Sequence, residues 1–468
     1  MSSLLSGPPA VVAAGVDVFT DALRAQGVGV TDVEWRPPTI GSAADLTQLA
    51  LDPRRAAANR VAVERVLASR STLTDVRPAS DVLGLTGRTL LHSGPPLTWE
   101  TASGPMRGAL VGACLFEGWA DTPEAAEQLL ASGGVELDSC HHHRAVGPMA
   151  GVTSPSMWMW CLTDPTDGRQ AFSNLNEGLG KVLRMGAYGP EVIERLHWMT
   201  DVMGPVLQAA VRSRTDPLDV TAILAQMLQM GDEAHNRNRA GSLMTLRELS
   251  PAIVGVGGPS RDTADVLRFI GGNEHFFLNL GMPSAKLAMD AVGDVPGSTM
   301  VTTLARNGTE FGIRTAGTGG RWFTAPANTP VGLYLGDYGP EDANPDIGDS
   351  AIMETYGIGG FCMAAAPAIV RFVGGTVPDA LATTERMYQI TLAESAALQV
   401  PILGFRGAPT GIDVVAVART GWLPQINTGM AGRVAGTGQV GAGLVQPPAA
   451  CFEQAVAALA EESRAALG

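Results

Sequence analysis

The hydrophobic pattern divides the chain into stretches of different character. Ala10–Gly15 is a short apolar run, partly β-branched. Asp17 can cap a helix whose apolar positions Val18, Phe19, Ala22 and Leu23 recur at helical spacing. Gly27 ends that pattern, and Val28–Trp35 alternates like a strand until Pro37-Pro38. Together they predict a small βαβ-like unit. It has no GxGxxG turn, so no dinucleotide site is expected there. Ala43–Leu67 is helical in pattern, with Pro53 starting a second helix. Residues 76–190 are rich in Gly, Pro and aromatic residues and predict short strands and turns. Val192–Met203, Val220–Met230 and Ala240–Leu249 are apolar at helical spacing and predict a helical insert. After Gly271 short strands, glycines and helices return, and no period suggests a solenoid. The reading is a multidomain α/β (α+β) protein.

Composition narrows the function. At 468 residues, 45% of them hydrophobic, the chain has material for several packed cores. Only 17% of residues are charged, while Gly (57) and Pro (31) are plentiful, which favours tight turns and backbone-lined pockets. A net charge of −14 without a lysine-rich run argues against nucleic acid and anionic membrane as partners. Five scattered cysteines without CxxC spacing suit reduced thiols in the cytoplasm. The N-terminus MSSLLSGPPA lacks a basic n-region, so no signal peptide is expected. No apolar run reaches the roughly 18 residues of a membrane helix.

Several segments carry candidate chemistry. In Leu90–Ala120 glycines permit close backbone approach, and Glu117 either is solvated or faces a substrate. Cys140-His141-His142-His143 follows. If extended, it puts His141 and His143 on one face and His142 on the other. No HxxxH, CxxC or nearby carboxylate completes a metal set, so no metal is expected; acid/base work and structural histidine both remain open. Thr153, Ser154 and Ser156 could cradle an anion. Asn174–Gly186 contributes Asn174, Asn176, Lys181 and Arg184; if helical, the two cations share a face. In Met230–Arg239, Asp232 and His235 are i,i+3 neighbours if helical. They are either a capped helix end or a carboxylate orienting a histidine. Arg306, Asn307 and Arg314 bracket a hairpin signal, and Asp349 resembles an N-cap of a helix reaching Glu354. Gly436–Gly443 reads GTGQVGAG, but LVQPP follows, so no Rossmann unit is expected; Gly438 and Gly441 could line an anion.

Ten of these segments occur in a fixed order: LLHSGPP, GPMRGALVGACLFEGWA, CHHH with AVGPMAG, NLNEGLGKVLRMGAYG, MGDEAHNRN, FFLNL, ARNGTEFGIR, WFTAPA, NPDIGDSAI and INTG with GTGQVGAG. In that order they resemble the YlbE/YahG family, the AllG-like partners of FdrA-type proteins, from about Val16 to about Leu459. Trp158-Met159-Trp160, Gly404-Phe405 and Ala431-Gly432-Arg433 depart from the family's usual wording. The resemblance implies a Rossmann-like N-terminal unit over 1–75, an α/β domain over 76–190, a helical domain over 191–285 and a C-terminal α/β domain over 286–468. It implies a cytoplasmic, oligomeric subunit of oxamate carbamoyltransferase, working with an FdrA-like subunit and a third small subunit in purine and allantoin catabolism. The implied reaction joins oxalurate and phosphate to oxamate and carbamoyl phosphate. It needs no cofactor.

That reaction asks for two anion holders, an oxyanion stabiliser and a proton donor to a poor amide leaving group. The expected acid/base groups are His142 and His235, with Asp232 orienting His235. The expected substrate contacts are His141, Asn174, Asn176, Lys181, Arg184, Arg306, Asn307, Arg314, Gly438 and Gly441. Two other readings stand beside this one: a non-catalytic scaffold subunit, and a nucleotide- or CoA-dependent ligase. Missing phosphate-loop glycines count against the ligase.

Overall fold

The computed structural model describes residues 10–14, 17–32, 38–256, 258 and 260–467. Backbone contacts group the chain into Met1–Thr39 and Ile40–Gly468. In the first unit, strands Ala10–Ala13 and Gly29–Asp32 pair in parallel, Ala10 opposite Gly29, with helix Asp17–Ala25 between them. This is the βαβ unit expected from the pattern. Residues 1–9, on which the expectation of no signal peptide bears, and the expected continuation of the strand towards Trp35 lie outside the described residues.

The larger unit is mixed α/β with several small sheets. Helices Ala43–Leu51 and Arg55–Ala68 meet at Asp52, whose carboxylate takes three hydrogen bonds from Arg54. Residues 40–75 thus group with the larger unit, and the boundary drawn at 75/76 does not coincide with the division of contacts. Thr72–Pro78 is a central strand, flanked by Trp158–Thr163 and by Leu218–Asp219, with Gln170–Asn174 outermost, all antiparallel. Thr89–His92 and Glu136–Ser139 pair in parallel across helices Gly104–Phe116 and Pro123–Ala131. A second antiparallel sheet runs Phe323–Pro326, Glu310–Thr315, Val301–Asn307, Ile347–Gly348.

The helical insert forms as its spacing predicts. Pro190–Trp198 passes through a π-turn, Met199–Met203, into Gly204–Ser213; Val220–Gln229, Arg239–Gly255 and Ser260–Gly272 follow. Leu278–Asp290 is buried from Leu278 to Met289, so its polar side chains must find partners inside. Asn279 reaches Asn174 and Asn176, Ser284 reaches Ser71, and Lys286 reaches Asp290. Trp160 is fully buried edge-on to Phe276, and Trp158 donates to the Thr200 carbonyl.

GTGQVGAG becomes strand Gln439–Val445, paired with Ile426–Ala431 and Val331–Tyr334. A Cβ at Gly441 would lie 2.5 Å from the Leu333 carbonyl oxygen. Gly441 therefore serves close strand packing. At Gly438, with φ +89°, a Cβ would meet the Gly180 carbonyl at 2.9 Å. Among the described residues no helix is long and apolar enough to cross a membrane.

Candidate functional site

Three buried carboxylates from one segment each meet a different base. Asp346 takes a two-pronged pair from Arg306, at 2.7 and 3.0 Å. Asp349 accepts from the backbone N–H groups of Gly94 (2.7 Å) and Gly147 (3.0 Å) and lies 3.2 Å from His141 Nε2. Glu354 lies against His235. Asp349 is therefore not the expected helix cap. Ala351 takes that place before the helix Ile352–Tyr356, with no side-chain cap.

His235 sits in the loop between helices Val220–Gln229 and Arg239–Gly255. Gly231 (φ +89°) and Ala234 (φ +74°) are left-handed, so the segment is not helical. This corrects the expected Asp232–His235 pairing. Asp232 instead accepts from the N–H groups of Ala240 (2.6 Å) and Gly241 (3.4 Å), capping the following helix. The carboxylate that orients His235 is Glu354, with both oxygens 2.8 and 2.9 Å from Nδ1. Nδ1 thus carries the proton, and Nε2 makes no hydrogen bond among the described residues. Glu354 also accepts from Gly360 N at 2.8 Å; Gly359 (φ +62°) permits this wrap, since a Cβ there would lie 2.3 Å from Glu354 Oε1.

Polar groups around the imidazole remain open. Glu233 accepts from His235 N (2.9 Å) and Arg237 N (2.6 Å), and burial pushes its carboxyl up to about 7. Asn236 Nδ2 is buried without a partner, and the buried Asn427 amide makes no well-formed hydrogen bond, though it lies close enough to the Glu233 carboxyl to lower its pKa. Arg184 is buried; its Nε and one terminal nitrogen both donate to the Gly178 carbonyl, at 3.1 and 2.6 Å. No carboxylate closes on the guanidinium, because Glu177 is occupied by the N–H groups of Leu183 and Arg184. Burial lowers Arg184 to about 10. His275 feels both Arg184 and His235, and burial with those charges pushes its imidazole well down. The arrangement can move a proton at His235 Nε2, and Arg184, which like His235 acts on His275, is a guanidinium with no ion pair among the described residues.

The remaining candidates are placed otherwise. Cys140–His143 is a 3-10 turn, so the expected alternation of faces does not hold. His142 has both ring nitrogens engaged: Nδ1 with Asp138 at 2.7 Å, and Nε2 accepting from Trp322 at 3.2 Å. His143 also meets Asp138, at 2.8 Å. His141 is buried edge-on to Trp322. Asn174 and Asn176 point inward, into a ladder of amides with Asn273 and Asn279. Lys181 is exposed while Arg184 is buried, so the two cations do not share a face. Arg306 is saturated by Asp346, the Gly348 carbonyl and Thr428. Asn307 braces the hairpin through Pro95, Thr309 and Glu310. Arg314 stacks 5.6 Å over Trp322. Ser154 and Ser156 already hold an anion, the Glu117 carboxylate. Among the described residues no three His, Cys, Asp or Glu side chains are grouped for a metal.

Glu354, Glu233, His275, Asn236 and Asn427 were not among the expected site residues. NPDIGDSAIMET and INTG contained two of them, but nothing in either segment tied it to His235.

A buried histidine held at Nδ1 by a buried glutamate, on a mixed α/β fold, is an arrangement suited to proton transfer. Residues 135–350 match the family model described as oxamate carbamoyltransferase subunit AllG. The chain is 49% identical over 409 residues to the oxamate carbamoyltransferase subunit AllG of Escherichia coli (strain K12), covering 87% of this chain and 98% of that protein. It is 45% identical over 461 residues to the uncharacterized protein YahG of the same organism, covering 97% and 98%. A crystal structure of a conserved protein of unknown function from Enterococcus faecalis V583 matches with a TM-score of 0.86 at 46% identity, covering 87% of this chain and 98% of that one. The chain belongs to the AllG/YahG family.

Proposed function

We propose that this chain is the subunit of an oxamate carbamoyltransferase-type enzyme that carries its proton-transfer site. It assembles with an FdrA-like subunit and a third small subunit, and acts in the cytoplasm in purine and allantoin nitrogen catabolism. The observation that carries the reading is His235, anchored at Nδ1 by Glu354 and open at Nε2. In the phosphorolytic direction a phosphate oxygen attacks the ureido carbon of oxalurate. The C–N bond breaks, oxamate departs with a proton from His235 Nε2, and carbamoyl phosphate forms. Glu354 stabilises the imidazolium before that proton leaves. Arg184 holds one of the two anions. None of these steps requires a cofactor.

The test is reconstitution: the chain with its partner subunits, oxalurate and phosphate, and a direct assay of carbamoyl phosphate. His235→Gln should lower turnover about 10²–10⁴-fold with the fold intact. Glu354→Gln should lower the same parameter by less, and Asp232→Asn should change stability alone. Full transfer by His235→Gln would remove the proposed acid. His235 is only 3% exposed, and that enclosure favours one second reading, a non-catalytic scaffold subunit. The same substitution distinguishes the two.

A further inference from the structure

We propose that Asn427 is the residue that recognises a planar primary amide on the substrate or product. The proposal rests on the carbamoyl-transfer reading. Asn427 lies on strand Ile426–Ala431, and its backbone N–H reaches the Glu354 oxygen that holds His235, at 3.4 Å. Its side chain is 0% exposed, and neither Oδ1 nor Nδ2 makes a well-formed hydrogen bond, though the amide lies close enough to the Glu233 carboxyl to lower its pKa. Asn236, next to His235 in sequence, likewise leaves Nδ2 unpaired. Buried amides in a folded protein are normally satisfied, as the Asn174, Asn176, Asn273 and Asn279 ladder is.

An asparagine amide presents one donor and one acceptor side by side, in either flip of its ends. That pair is complementary to a –CO–NH2 group, whose oxygen accepts and whose nitrogen donates. A carboxylate offers only acceptors and sets one of its oxygens against Oδ1. Carbamoyl phosphate, a ureido end and oxamate all carry the primary amide. Asn427 would therefore separate them from their acid or methyl counterparts. It is shut off from solvent in the structure, so a ligand reaches it only after a covering segment moves.

The experiment measures binding, not turnover. The full chain with its partner subunits is titrated calorimetrically with oxamate against oxalate, and with carbamoyl phosphate against acetyl phosphate. In each pair the second member lacks the NH2 group. The wild type should prefer at least one amide probe over its counterpart by about tenfold or more, and the arm that shows the preference identifies which amide Asn427 holds. Asn427→Leu should abolish the preference while changing the melting temperature little, because the amide's interaction with the Glu233 carboxyl is poorly formed. Asn427→Asp, which keeps the shape and loses the donor, should abolish it too, and stands in if the leucine variant fails to fold. Absence of any preference in the wild type, or its survival in either variant, overturns the proposal. A complex that prefers amides through Asn427 yet transfers no carbamoyl group would sink the carbamoyl-transfer reading and leave this one standing.

Discussion

Replacing Arg306 by Met should destabilise the fold rather than weaken ligand binding. The pattern of the sequence offers Arg306 as an anion holder, but the structure closes it on Asp346, and both side chains are 0% exposed. Methionine keeps most of the side-chain length and removes the charge. Asp346 would then retain only Thr428 Oγ1 (3.3 Å) and Ile347 N (2.9 Å) on its carboxylate, and the Gly348 carbonyl would lose its 2.6 Å donor. Removing one member of a buried ion pair costs about 3–5 kcal/mol, mostly through the charge left behind. The orphaned carbonyl falls within that range, because such costs do not simply add. Removing both ions should restore much of the loss, so Arg306→Met with Asp346→Leu should be at least ~2 kcal/mol more stable than the single variant. Urea unfolding followed by tryptophan fluorescence reads both; the chain has 8 tryptophans. The reasoning is refuted if Arg306→Met unfolds within about 1 kcal/mol of the wild type while losing oxamate or phosphate binding.

Two further outcomes follow from buried titrating groups. Glu233 holds its proton to about 7 in the folded chain against a usual 4.5, so stability should fall as pH rises between those values and then level off. The interval corresponds to about 3 kcal/mol at most; Glu233→Gln should flatten the urea midpoint between pH 5 and 8, and an unchanged slope would place the titration elsewhere. All five cysteines are buried and unpaired, and burial pushes the Cys114, Cys161 and Cys451 thiols up to about 12. Native protein should react slowly with a thiol reagent and release five equivalents in urea; a fast native thiol would contradict that burial.

Local pattern predicted what local physics decides. The helices between Pro190 and Gly255 follow their apolar spacing, whereas GTGQVGAG, read as a glycine-lined turn or loop, forms the strand Gln439–Val445. Backbone torsion misled the same reasoning in two places. The histidine run turns as a 3-10 helix, so a two-residue period places its side chains wrongly. Ala234 adopts a left-handed φ with no glycine to announce it, and that turn breaks the helical spacing assumed between Asp232 and His235. The pairing that matters most, His235 with Glu354, spans 119 residues. A single sequence holds no signal for it, because neither residue's neighbours encode the other's position.

What separates His235 from the other candidates is an imidazole oriented at one nitrogen by a buried carboxylate and unbonded at the other. Arg306 and Asp346 answer one another fully, as buried charges in a frame must. Asp349 is saturated by two backbone donors, so it holds the Thr89–His92 and Cys140–Gly147 regions together through Gly94 and Gly147, with His141 beside it. His142 is engaged at both ring nitrogens, and a histidine whose second nitrogen already accepts from Trp322 must break that bond to serve as acid or base. Glu354 engages Nδ1 of His235 and leaves Nε2 without a hydrogen bond among the described residues. A fold gains nothing in stability from leaving such groups unmade. The satisfied Arg306, Asn174 and Asn176 clusters belong to structure on the same ground, and the proposed role of His235 rests on the nitrogen that Glu354 leaves free.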